Sequence, residues 1–221
     1  MIINKQRHME EVIPTILSFN KRVFSSKLEK LRKISNEIQI DFMDKKFVPT
    51  KSVALEEVPS LNRYKNVFEA HLMVENPDEW VTPLKEKGFS RIIFHYEAVK
   101  KKEIIRLARK IKRQGMEPIL AINPGTRAEN IYAYLSHFKK ILFLGVRPGR
   151  EHQKFKLVVY NQIRKLREKN KKIIIQVDGG VTPEVAGKLR LLGANIINSG
   201  SYISSNKNPE KAFKKISEAF K

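Results

Sequence analysis

The chain alternates eight times between a short β-rich apolar run and a longer amphipathic stretch. The runs are VIPTIL (12–17), EIQIDF (37–42), VFEAHL (67–72), RIIFHY (91–96), EPILAI (117–122), KILFLG (140–145), IIIQVD (173–178) and NIINSG (195–200). Between them, apolar spacing predicts helices near 20–35, 51–62, 77–87, 99–114, 127–137, 156–170, 182–192 and 209–220. Apolar strands that alternate with helices bury both faces, which points to a parallel sheet covered by helices. An open doubly wound sheet competes with a closed one. Eight units with no dinucleotide-binding glycine fingerprint after the first run favour closure into an α/β barrel, (β/α)8. The expectation is a single barrel domain over residues 1–221, with 1–10 as a peripheral N-terminal segment. Active residues then belong at the C-terminal ends of the strands and in the βα loops.

Punctuation supports this division. Gly88, Gly115 and Gly193 fall just after periodic segments, where a left-handed residue ends a helix. Asn76-Pro77, Thr182-Pro183 and Asn208-Pro209 read as an N-cap followed by proline in the first turn. The 51–62 helix is the weakest of the set, being short and close to Pro49 and Pro59.

Composition narrows the class further. The chain has no cysteine, which removes disulfides, thiolate metal sites and a cysteine nucleophile. The start, MIINKQRHMEEVIP, has no apolar core of a secretory signal. No apolar run approaches the roughly 18 residues of a membrane span. The expected protein is soluble and cytoplasmic, with no membrane partner. There are 44 Lys and Arg against 23 Asp and Glu, a formal net charge of +21. Such an excess can attract a polyanion. The basic residues, however, are interleaved with apolar ones at helical spacing, as in KKKEIIRLARKIKRQ. Without an RNP motif, zinc-finger spacing or basic tail, they read as solvated helix faces, and nucleic acid is the less favoured partner.

Aspartate is scarce: Asp41, Asp44, Asp78 and Asp178 are the only four, and three fall at the ends of predicted strands two and seven. Asp78 reads as a loop or cap residue. In EIQID, period two sets Glu37, Gln39 and Asp41 on one face, with Ile38 and Ile40 on the other. The apolar face meets the helices, so Gln39 and Asp41 point into the barrel mouth. A carboxylate buried there needs a cation or hydrogen-bond donors. On strand three the same alternation puts Glu69 and His71 together. His71 reads equally as a functional group or a satisfied core histidine, and so does His95 on strand four. His8 and His137 carry no assigned chemistry. Asp178 is followed by Gly179 and Gly180, and strand eight ends at Gly200-Ser201. Glycines there let backbone N–H groups approach an anion, and these two loops are the usual phosphate cradle of such barrels.

At these residues the chain resembles the ribulose-phosphate 3-epimerase family, from about residue 12 to 203. PTILSFN resembles P-S-I-L-S, and QIDFMDKKFVPT resembles H-V-D-V-M-D-G-x-F-V-P-N. EAHLMVENPDEW resembles D-V-H-L-M-V-x-x-P, and INPGT matches N-P-G-T. VRPGREHQKF resembles V-N-P-G-F-G-G-Q-x-F, and QVDGGV matches x-V-D-G-G-V. The resemblance implies a TIM barrel of the ribulose-phosphate-binding type. It implies interconversion of D-ribulose 5-phosphate and D-xylulose 5-phosphate by proton transfer at C3 between two carboxylates, assisted by a divalent metal. It makes Asp41 and Asp178 the acid–base pair and, with His71, metal ligands. It implies phosphate on Gly179, Gly180, Gly200 and Ser201, further substrate contacts from Thr15, His71, Met43, Met73 and Gly149, and a homo-oligomer. Met43 and Met73 read equally well as core packing.

Four departures stand out. The family's other metal histidine is Gln39 here, a weaker and harder ligand; this lowers affinity for Zn or Fe, shifts preference toward Mn or Mg, or removes the metal. Gly149-Arg150-Glu151-His152 replaces G-F-G-G after strand six, leaving Arg147, Arg150 or His152 to hold an anion by side chain. Thr15 replaces a serine and keeps its hydroxyl. Lys45-Lys46 replace a Gly-x pair. The D-x-K-x-x-D pattern of hexulose-phosphate synthases and sugar-phosphate decarboxylases is missing from VFEAHLMVE. The alternatives to a pentose-phosphate epimerase are therefore an epimerase for another ketose phosphate, or a non-catalytic member that binds a phosphorylated ligand or nucleic acid.

Overall fold

Period two decides which side of a sheet each side chain faces, and here it divides an apolar outside from a half-polar inside. The computed structural model describes residues 11–221; the expected segment 1–10, and His8 with it, lie outside the described residues. The strands are β1 (Val12–Ile16), β2 (Glu37–Met43), β3 (Val67–Met73), β4 (Arg91–His95), β5 (Glu117–Ile122), β6 (Lys140–Leu144), β7 (Ile174–Asp178) and β8 (Ile196–Ser199). Each pairs in parallel with the next, and β1 pairs with β8, closing the barrel in sequence order. The expected eight-stranded barrel is the fold.

The helices are α1 (Lys21–Leu31), α2 (Val81–Lys87), α3 (Ile104–Arg113), α4 (Val158–Lys169), α5 (Pro183–Leu191), α6 (Ser201–Ser204) and α7 (Pro209–Ala219). In α3 the buried residues Ile104, Leu107, Ala108 and Ile111 follow helical spacing, and, apart from Ile105, the other positions are basic. Thr182 and Asn208 cap α5 and α7 by accepting from the backbone N–H groups of Val185 and Lys211. Asn76 makes no such bond. Gly88 ends α2 at φ 98°, and a Cβ there would lie 2.7 Å from the Asn62 side chain. The position therefore excludes side chains twice over.

The helix expected over 51–62 does not form. Two 3-10 turns, Leu55–Glu57 and Leu61–Arg63, stand there instead. The residue before Pro59, Val58, is extended (φ −73°, ψ 127°), as the proline ring demands. The stretch expected as a helix over 127–137 winds as a 3-10 helix (Ala128–His137). Helix α6, at the end of β8, has no counterpart among the expected helices.

The main core lies between strands and helices, with Phe24, Phe42, Phe68, Phe94 and Phe143 all 1% exposed or less. Inside the barrel, the side formed by β4, β5 and β6 is apolar (Ile93, Ile119, Ala121, Leu142 and Leu144). The side formed by β2, β3, β7 and β8 is polar (Glu37, Gln39, Asp41, Glu69, His71, Gln176, Asp178 and Asn198), all buried. At the floor, Arg91 reaches Glu37 (2.5 Å), Glu69 (3.5 Å) and Glu117 (3.4 Å), and Lys140 joins Glu117 at 3.4 Å. Buried carboxylates persist only because these cations meet them.

Candidate active site

Register places the site. Asp41 sits beside His71 and Gln39 beside Glu69 across β2 and β3. Asp178 sits beside Asn198 across β7 and β8. Two polar layers result. The upper one, at the mouth, is Asp41, His71 and Asp178. The lower one is Gln39, Glu69, Gln176 and Asn198.

In the upper layer His71 Nδ1 lies 3.1 Å from Asp41 Oδ1 and 3.3 Å from Asp178 Oδ2. The Gln39 Nε2 group donates to the same two oxygens, at 2.9 Å and 2.6 Å. Asp41 and Asp178, from strands far apart in the chain, thus face each other across one imidazole and one amide. Burial and the neighbouring Asp178 push the Asp41 carboxyl up to about 6, against the opposing pull of His71 and Gln39. For His71 burial disfavours the charge, but the bonds to Asp178 and Asp41 outweigh it and push the imidazole up to about 10.

Behind His71 stands His95, its Nε2 2.9 Å from His71 Nε2. His95 Nδ1 faces Glu97 at 3.5 Å. Glu97 in turn accepts from the Asn123 backbone and the Thr126 hydroxyl. Burial and the adjacent His71 hold His95 below the usual imidazole range.

The lower layer is an amide chain. Gln176 Nε2 donates to Glu69 Oε1 (2.7 Å) and Asn198 Oδ1 (2.8 Å). Asn198 Nδ2 donates to Glu69 Oε1 and to Gln39 Oε1, both at 2.8 Å. Period two places Glu69 with His71, and the same alternation sets Gln176, not singled out in the sequence, on the face of Asp178. His95, which the sequence reads equally as a functional or a core histidine, stands here behind His71. That Asn198 joins them depends on the pairing of β8 with β7.

Above lies a cavity of about 570 Å³ at the C-terminal mouth. Asp41, His71, Asp178, Thr15 and Met73 line it, as do Gly149, Gly179, Gly180, Gly200 and Ser201. Gln39 and Met43 do not line it. Gln39 is fully buried beneath, and Met43 packs with Leu17, Val48 and Met73 at the rim. The Thr15 hydroxyl is buried with no hydrogen-bond partner among the described residues. Gly179 and Gly180 have φ of 90° and 68°. A Cβ on Gly180 would stand 2.9 Å from the Phe155 backbone nitrogen, so the loops after β6 and β7 meet only because this residue has none.

The remaining aspartates have structural roles. Asp44 accepts from the backbone N–H groups of Lys46, Phe47 and Glu75, tying the loop after β2 to that after β3. Asp78 binds Lys110 at 2.6 Å.

The sequence model of the ribulose-phosphate 3 epimerase family matches residues 11–204. The chain belongs to the ribulose-phosphate 3-epimerase family. This family member is 30% identical over 204 residues to the cytoplasmic isoform of ribulose-phosphate 3-epimerase from Oryza sativa subsp. japonica, covering 90% of this chain and 89% of that one. It is 35% identical over 185 residues to ribulose-phosphate 3-epimerase from Methanocaldococcus jannaschii, covering 81% and 77%. Among solved structures, 3-hexulose-6-phosphate synthase matches with a TM-score of 0.74 at 12% identity, covering 96% of this chain and 100% of that one. At that identity the likeness concerns the barrel alone.

Proposed function

We propose that this epimerase-family chain interconverts D-ribulose 5-phosphate and D-xylulose 5-phosphate by moving a proton at C3 between Asp41 and Asp178. The observation that carries the reading is the pair of buried carboxylates meeting across the floor of one cavity, from β2 and β7. Inversion at a carbon next to a ketone needs a base on one face and an acid on the other. Asp41, held up near 6, is suited to exchange a proton near neutral pH.

Asp41, His71 and Asp178 each offer a ligand atom, all within 4.8 Å of one another, which fits a divalent cation on three protein groups. Zn, Mn, Fe or Mg bound there supplies positive charge to the enediolate oxygens formed as the C3 proton leaves. Everything else falls to the chain. Asp41 and Asp178 hold and return the proton. The unpartnered Thr15 hydroxyl offers a hydrogen bond to a substrate oxygen. Met73 and Leu17 keep that part of the mouth apolar. Gly179, Gly180, Gly200 and Ser201 frame the phosphate end of the cavity, where an added Cβ on Gly200 would be 3.7 Å from Thr15.

The test is exchange of the C3 proton of ribulose 5-phosphate in deuterated water, with Mn²⁺ or Zn²⁺ supplied. The expected result is deuterium at C3 together with xylulose 5-phosphate, with formation of xylulose 5-phosphate lost in Asp178→Asn. No exchange with any of the four metals would overturn the reading.

A further inference from the structure

We propose that Gln39 is a positioning residue that bridges the two carboxylates through its amide N–H groups, its direction imposed by Glu69 through Asn198. A cation at Asp41, His71 and Asp178 therefore gains no ligand from Gln39 and has to compete with it.

The geometry is a chain of donors and acceptors with one consistent direction. Glu69 Oε1 can only receive, and it receives two amide nitrogens, those of Gln176 and Asn198. Asn198 must then present nitrogen on that side, and the same nitrogen reaches Gln39. Gln39 must answer with its carbonyl oxygen. Its nitrogen is left pointing up, within 2.9 Å of Asp41 and 2.6 Å of Asp178. Turning the Gln39 amide over would set nitrogen against the Asn198 nitrogen and oxygen against two carboxylates. Each such conflict between buried groups leaves donors or acceptors unmade. All four residues of the lower layer are fully buried, so water cannot repair the mismatch.

The consequence is specific to this chain. An amide that donates to both carboxylates offsets their mutual repulsion and holds them together when no cation is present. A carbonyl ligand would do the opposite: it would add to the repulsion and require a cation. The inference rests on the epimerase reading only for the roles of Asp41 and Asp178.

The experiment compares the full chain with Gln39→Met, which keeps the volume and removes both the donor and the carbonyl. Mn²⁺ binding is followed by calorimetry and metal-free stability by thermal melting. The expected result is Mn²⁺ affinity at least equal to that of the parent in Gln39→Met, with a lower melting temperature in the absence of metal. A tenfold or greater loss of Mn²⁺ affinity would overturn the inference, since it makes the carbonyl a ligand. An unchanged metal-free melting temperature would overturn it as well, since the carboxylates then needed no donor besides His71. If neither protein binds Mn²⁺, the melting comparison decides. Should Gln39→Met not fold, Asn198→Leu frees the Gln39 amide to turn. Mn²⁺ affinity then rises threefold or more, and a fall would count against the relay. Failure to turn over ribulose 5-phosphate strikes the epimerase reading and leaves these binding and melting outcomes standing.

Discussion

The Nε2 atoms of His71 and His95 lie 2.9 Å apart, so one ring must donate and the other accept. His71 is the donor. Its Nδ1 already faces two carboxylates, and both of its nitrogens carry protons when the ring is charged. His95 is the neutral partner, its Nε2 accepting and its Nδ1–H turned toward Glu97. The opposite displacements of the two rings agree with this assignment.

Metal binding should therefore release a proton. A cation at His71 Nδ1 has to displace the hydrogen there, and the folded value of about 10 means that hydrogen is present at pH 7. Mn²⁺ titration in buffers of different ionisation enthalpy should show release of about one proton, and affinity should rise about tenfold per pH unit between 7 and 9. The sign for stability follows from the same group. Its folded value lies above the unfolded 6.5, so its contribution is complete below pH 6.5 and disappears as the pH climbs to 10. In metal-free protein, His71→Asn should lower the melting temperature more at pH 6 than at pH 10.

Glu151 lines the cavity beside Gly200 and Ser201, where the proposed reading sets the phosphate. Its Oε1 is buried without a hydrogen-bond partner among the described residues, and it lies 3.8 Å from where a Cβ on Gly200 would be. Lys27 is 3.7 Å away and only partly balances it. A carboxylate there repels an incoming phosphate by about 1 kcal/mol, the size of a single contact in high dielectric. Glu151→Gln should lower KM for the sugar phosphate by about fivefold with little change in kcat.

Among the described residues, two occupy left-handed backbone without being glycine: Lys45 (φ 64°) and His152 (φ 59°). Both stand where the family pattern has glycine. Each carries a steric cost of roughly 1 kcal/mol that glycine avoids. Lys45→Gly should raise stability in urea unfolding, less the backbone entropy that glycine adds to the unfolded chain. The same change at His152 should behave alike.

Arg91 holds Glu37 and Glu69 at the barrel floor, under the amide layer. Arg91→Met leaves both carboxylates buried without their cation, a loss of about 3–5 kcal/mol. Denaturant unfolding should show it. Because Glu69 also sets the amide layer, the variant should lose activity at temperatures where it remains folded.

Much of this site was legible in the sequence, because its logic is local. Alternation along EIQID and EAH turned Gln39, Asp41, Glu69 and His71 inward, and they are buried there. Ordered motifs put Asp178 and the two glycine turns at the mouth. The failures were also local: a proline residue replaced the 51–62 helix with two short turns. Alternation gives Glu69 a face but no partner. Its partners come from β7 and β8, more than a hundred residues away.

By itself, then, the sequence determined the barrel, the inward set of side chains and the family. Strand period, helix spacing and glycine placement are properties of neighbouring residues. Tertiary structure alone decided what the inward groups do to one another. Gln39 stands where the family pattern has a metal histidine, and from the sequence it read as a substitute ligand. Its amide direction is set by Asn198, which lies 159 residues along the chain, and through it by Glu69. A hydrogen bond has a direction, and in this buried network that direction is inherited from the carboxylates at its two ends, which accept the amide nitrogens.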